Sequence, residues 1–180
     1  MTIEELSFMP LQDLQAAYAD RSLSPFEVMQ TTFEQIEKVN PIINALYDLR
    51  KTEALGEARA AEQRYAKAEQ IGAFDGVPVS IKDSVNAVGM KWHHGSAIHG
   101  DGIVAKADSP PVTRLKKAGA IIVGKAAMPD FGLSGSGVSG SHGIAHNPWG
   151  LSWNTGGSSS GAGASLAAGI AWMSIGSDIA

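Results

Sequence analysis

The sequence predicts an α/β fold, a mixed sheet covered by helices and reached through a helical N-terminal segment. Three observations point there. Residues 1–75 hold 13 acidic and 7 basic side chains, as helices with one solvated face do, whereas residues 76–180 hold 5 and 7. Two short apolar runs, residues 77–81 and 120–123, flank a segment that opens with a helix-start signature. Strand, helix, strand is the order of a sheet buried on both faces. Finally, residues 131–177 contain no Asp, Glu, Lys or Arg. A stretch of that length, rich in Gly and Ser, is either a linker or the interior of something.

Taken in order, Leu11, Leu14, Ala17 and Tyr18 recur at helical spacing. Ser24-Pro25-Phe26-Glu27 then predicts a second helix start, with Ser24 as N-cap, Pro25 at the first position and Glu27 closing a capping box. Val28, Met29, Thr32, Phe33, Ile36 and Val39 give that helix one apolar face, and Asn40-Pro41 is expected to stop it. A third helix is expected over residues 51–70. The character changes at Gly72–Gly76, where the second unit, residues 76–180, begins. A strand over 77–81 ends in Lys82-Asp83. Ser109-Pro110-Pro111-Val112 starts a helix that Gly119 stops, and 120–123 is the next strand. A small-residue helix is expected over 161–171 and a short strand over 172–175.

Composition narrows the function. The 180 residues carry a net charge of -4, and 44% are hydrophobic against 18% charged, which is a folding composition. The basic surface needed to neutralise nucleic-acid phosphates is absent. No apolar run suits a bilayer, residues 1–13 lack a signal-peptide pattern, and the expected location is the cytoplasm. With no cysteine, disulfides, thiolate catalysis and cysteine metal sites are excluded.

The chemistry concentrates in a few places. Residues 155–163, Thr-Gly-Gly-Ser-Ser-Ser-Gly-Ala-Gly, open into the small-residue helix. Glycines let a ligand approach backbone closely, and a helix N-terminus offers free N–H groups to an oxyanion. A flexible linker is the competing reading, opposed by the apolar residues that follow. A phosphate loop is excluded because Gly163 precedes Ala164-Ser165 rather than Lys-Ser/Thr. Lys82 closes an apolar strand with only Asp83 as charged neighbour; buried against the uncharged stretch, it could be neutral and serve as a base beside serine. The competing reading is a strand-end lysine in solvent. His142 and His146 are four apart, but Gly140, Gly143 and Pro148 oppose a helix and no acid is nearby in sequence, so no metal is expected. His93 and His94 are expected on a surface or pocket rim, and Trp92, Trp149, Trp153 and Trp172 in packing.

Several segments together resemble the amidase signature family of serine amidohydrolases. They are residues 76–83 (GVPVSIKD), 118–125 (AGAIIVGK) with Met128-Pro129-Asp130-Phe131, Asn147-Pro148-Trp149, 156–163 (GGSSSGAG) and 176–180 (GSDIA). Their order and spacing agree with the family across nearly the whole chain, and departures such as Ser84, Ser160, Ala162 and Ala180 remove no acting side chain. The resemblance implies the family's α/β/α fold, incomplete here. It implies a Ser-Ser-Lys triad in which Lys82 is the base and Ser158 the relay serine, with a cis Gly157–Ser158 peptide. Gly132, Ser134, Ile179 and Ala180 would line the substrate site; Asp178, Gly157 and Ser159 would support it. The nucleophilic serine would arrive two residues after Ala180, so the 180-residue chain is expected to be inactive alone.

The activity implied is hydrolysis of a small-molecule amide through an acyl-enzyme, with no metal or organic cofactor, no nucleic acid and no membrane; a homodimer stays open. Two alternatives stand beside it. One is the A subunit of the tRNA-dependent amidotransferase, a glutaminase that passes ammonia to a partner, whose usual Thr-Gly-Gly-Ser after the aspartate is replaced here by Ile179-Ala180. The other is a non-catalytic Gly/Ser-rich binding module.

Overall fold

The computed structural model describes residues 2–178, so Ile179 and Ala180 lie outside the described residues. The chain forms a mixed α/β sheet flanked by helices. Helices α1 (Ile3–Ser7), α2 (Leu11–Asp20) and α3 (Pro25–Ile43) come first, followed by strand β1 (Leu46–Tyr47) and helix α4 (Lys51–Lys67). Then follow β2 (Pro78–Lys82), β3 (Lys91–Trp92), β4 (Ile103–Val104), α5 (Pro110–Lys117) and β5 (Ile121–Ala126). The hairpin strands β6 (Val138–Ser139) and β7 (Gly143–Ile144), helix α6 (Ser160–Ala167) and β8 (Met173–Ile175) complete it.

The expected capping box is present: the Ser24 hydroxyl accepts from the Phe26 N–H, and the Glu27 carboxylate accepts from the Ser24 N–H. Asn40-Pro41 does not stop α3. Pro41 falls in its last turn, where little of the helix ladder remains to be broken, and the helix ends at Asn44 in the left-handed region (φ 48°). The Asn40 side chain then accepts from the N–H groups of Ala45 and Leu46, turning the chain directly into β1. That strand was not visible in the sequence.

The main sheet has the order β1-β5-β2-β8, with β5, β2 and β8 parallel and β1 antiparallel at one edge. Side chains alternate across it. Ile121 and Val123 of β5 pack with Met29, Phe33 and Ile36 of α3 and with Ala162 and Ala164 of α6. Ile122 packs on the opposite face with Val77, Val79 and Ile81, with Leu14 and Tyr18 of α2, and with Val112 of α5. The run 120–123 is longer than expected because Gly124 and Lys125 continue the strand through a bulge: Val79 pairs with Ile122, and Ser80 with Gly124. A Cβ at Gly124 would stand 2.8 Å from the end of the Leu49 side chain, which would have to shift to admit it.

Polar groups inside the sheet are joined rather than stranded. Ser80 contacts the hydroxyls of Ser174 at 2.7 Å and Ser165 at 3.1 Å, linking β2 to β8 and α6. Arg64 of α4 grips the buried Asp75 with Nε and Nη2, fixing the approach to β2. Because β2 and β8 are parallel, Lys82 and the residues after Ile175 emerge at the same carboxyl edge, the usual place for a site in a parallel sheet.

Candidate active site

Lys82 ends β2 and is 1% exposed. Its Nζ lies 2.7 Å from Ser158 Oγ, 2.9 Å from the Ser177 carbonyl oxygen and 3.1 Å from Ser177 Oγ. Three oxygens therefore surround one nitrogen. As an ammonium it donates to all three; as a neutral amine it keeps one lone pair, and either hydroxyl can donate to it. Burial pushes the Lys82 ammonium below the ordinary lysine range, opposed in part by the charge of Asp178.

The serines come from two segments. Ser158 precedes α6, and its peptide bond with Gly157 is cis. Gly157 is closely enclosed: a Cβ there would stand 2.6 Å from the Ser134 carbonyl oxygen. Gly132, in the left-handed region at φ 72°, also lies close, since a Cβ there would sit 3.4 Å from Ser158 Oγ. Ser159 does not contact Lys82 directly but shares an acceptor with it, donating to the Ser177 carbonyl oxygen at 3.1 Å and accepting from the Ser177 N–H at 3.2 Å. This reciprocal pair ties the start of α6 to the segment after β8. The Ser134 hydroxyl bonds to Ser136 at 2.8 Å. Ile179 and Ala180 fall outside the described residues.

Sequence reasoning passed over Ser177, although it supplies two of the three oxygens around Lys82. Its place between Gly176 and Asp178, in a segment already singled out, was the available signal.

Next to Lys82 is a second polar group. Asp83 is fully buried; Oδ1 accepts from Tyr47 Oη at 2.6 Å and from the His93 N–H at 2.7 Å, and Oδ2 from the Gly95 N–H at 2.6 Å. His93 is 7% exposed rather than on a rim, because Asp83 draws its backbone inward. Its ring stands edge-on to His142, which stacks on Tyr47 with centroids 3.8 Å apart. Burial pushes the His142 imidazole down to about 4, against the attraction of Asp83. The tryptophans also divide: Trp172 donates to the Met9 carbonyl oxygen, while Trp149 and Trp153 stand exposed at 76% and 64%.

Known proteins agree with this architecture. The family profile Amidase matches residues 27–180. The A subunit of the glutamyl-tRNA(Gln) amidotransferase of Alkaliphilus metalliredigens is 35% identical over 178 residues, which cover 99% of this chain and 35% of that protein. An indoleacetamide hydrolase of Bradyrhizobium diazoefficiens is 39% identical over 168 residues, 93% of this chain and 32% of that one. Among solved structures, a bacterial aryl acylamidase of the amidase signature family superposes with a TM-score of 0.84 at 27% identity, covering 91% of this chain and 34% of the other. The chain thus spans about a third of the length of the relatives it matches, and within that span it belongs to the amidase signature family.

Proposed function

We propose that the protein hydrolyses the carbon–nitrogen bond of a small amide by acyl transfer to serine and then to water. The observation that carries the reading is the 2.7 Å approach of a buried lysine amine to Ser158 Oγ. In this reading the chain is the N-terminal part of the family's α/β domain, led in by the helical residues 1–75. Neutral Lys82 accepts the Ser158 proton as Ser158 accepts one from a nucleophilic serine, expected two residues after Ala180. That serine forms a bond to the amide carbonyl carbon, and the carbonyl electron pair moves to oxygen. Backbone N–H groups from about Ile179 onward hold the oxyanion, a contribution of about 3–4 kcal/mol for one donor. The pair returns, the carbon–nitrogen bond breaks, and the relay delivers the proton to the leaving amine. Water then attacks the acyl-serine through the same relay.

Ser177 keeps the Lys82 amine aimed at Ser158, and in this reading Asp178 is a supporting acid whose charge reaches Lys82. The test compares Ser158→Ala with Ser159→Ala in the complete protein, with indoleacetamide and simple anilides as substrates. Ser158→Ala should lower kcat by about 10³-fold or more, the range of a lost proton-transfer group. Ser159→Ala should lose less, since its hydroxyl serves Ser177. Equal losses would remove Ser158 from the relay. The match to an amidotransferase component over 99% of the chain supports a second reading, a glutaminase working in a complex. A copurifying partner protein, with glutamine the only amide turned over, would decide for it.

A further inference from the structure

We propose that Asp83, His93 and His142 form a binding site for a divalent transition-metal ion of the zinc class. One ligand atom from each lies within 4.8 Å of the other two. Bonds of about 2.1 Å in a tetrahedron place ligand atoms about 3.4 Å apart, so small side-chain rotations close the site. Two of the three side chains carry a nitrogen that the fold leaves unused. Among the described residues, His93 Nδ1 and His142 Nε2 are buried without a hydrogen-bond partner. Buried polar atoms are almost always paired, so two orphans in one cluster call for a ligand.

The carboxylate has room for the same ligand. A carboxylate offers about four lone-pair positions. Asp83 Oδ1 uses two, for Tyr47 and the His93 N–H, whereas Oδ2 uses one, for Gly95. The free position is thus on Oδ2, the oxygen that faces His142 Nε2 at 3.9 Å, too far for a hydrogen bond. Tyr47 and two backbone N–H groups already hold the carboxylate in place, as supporting partners do around a metal ligand. The Cε1–Nε2 edge of His93 fills the space over Gly102 where a Cβ would stand only 2.6 Å away, so this ring position depends on the glycine. His142 keeps 12% of its side chain exposed, which gives an ion a route in.

Two nitrogens and one carboxylate oxygen select a zinc-class ion over magnesium or calcium, which take oxygen shells. The ion would join three segments distant in sequence: the end of β2, the turn at residues 93–95 and the tip of the β6–β7 hairpin. Lys82 aims its amine at Ser158 and Ser177 while Asp83 turns to His93 and Gly95, so the metal site stands apart from the proposed relay. The sequence could not show it, because the acid missing beside His142 is supplied from the far side of the chain by Asp83.

The test strips the purified protein with a chelator and titrates it with zinc chloride and then cobalt chloride, following heat and visible absorption. One equivalent should bind with a Kd near or below 1 μM, raise Tm, and give a cobalt absorption band of histidine-ligated type. His93→Gln and His142→Phe should each weaken binding at least 100-fold. Labelled histidine ring nitrogens give an answer independent of any variant. With one equivalent of zinc, two of the five histidines should shift, and they should be His93 and His142 rather than His94, His99 or His146. No binding up to millimolar zinc, binding unchanged in both variants, or shifts confined to the other three histidines would each overturn the proposal.

Discussion

Two buried lysines at neighbouring strand ends behave differently, and the contrast can be measured. Lys82 meets three oxygens, whereas Lys125 Nζ donates to the Val85 carbonyl oxygen at 2.5 Å. Burial pushes Lys125 down from 10.5 to about 8, although Asp83 and Asp48 attract its charge. A lowered folded value means that the unfolded chain binds the proton more tightly between pH 8 and 10.5. Stability should therefore rise with pH across that window, with the full burial cost present below about 8. Lys125→Met should flatten this slope, because the group that titrates across the window is gone. Urea titrations at pH 7 and pH 10 read the difference; a wild-type stability that falls from pH 8 to 10 would contradict it. Lys82 was legible in the sequence because it closes an apolar strand and the chain offers a long uncharged partner. Lys125 was not, since Gly-Lys after an apolar run reads as a strand ending, and only the bulge carries β5 onward. His93 was misread for a similar reason: its local sequence is polar, and its burial comes from Asp83.

At the scale of elements, α6 is set by how closely it approaches its neighbours. Gly161 donates to the Ala127 carbonyl oxygen at 2.9 Å, and a Cβ there would overlap the Ala45 carbonyl oxygen and the Ala127 nitrogen. Both obstacles are backbone and cannot turn aside. Gly161→Ala should destabilise the fold by about 3 kcal/mol, the upper part of the overpacking range. Among the described residues, nothing lies within 4 Å of a Cβ added at Gly56 in α4, and Gly56→Ala should stabilise by about 0.5–1 kcal/mol through helix propensity. Thermal melts of the two variants should move in opposite directions, and a Gly161→Ala variant as stable as wild type would mean that α6 packs more loosely than described. The order of the elements could be read because capping residues, Pro-Pro starts and apolar runs are local signals. The short strands β1, β3, β4, β6 and β7 could not, since two residues carry no periodicity and are made strands only by their partners.

For the whole molecule, the uncharged stretch divides into two kinds of surface. Ser160, Gly161, Ala162, Ala164 and Ser165 are buried in the sheet's flank, as an interior reading expects, while Leu133, Trp149 and Trp153 are more than half exposed. Large exposed apolar side chains on one segment favour association. The 180-residue chain taken alone should therefore self-associate at micromolar concentration, and sedimentation showing a clean monomer would count against that. The two faces of the sheet and the meeting of Lys82 with Ser158 follow from strands that run parallel, which brings distant motifs to one edge. The central claim is that Lys82 moves the proton, and replacing it with a side chain that stays charged tests this most directly. In the complete protein, kcat for amide hydrolysis should fall by about 10³-fold or more in Lys82→Arg, with the fold retained, because a guanidinium cannot give up its proton at a useful pH. Turnover within a few-fold of wild type in that variant would contradict the account.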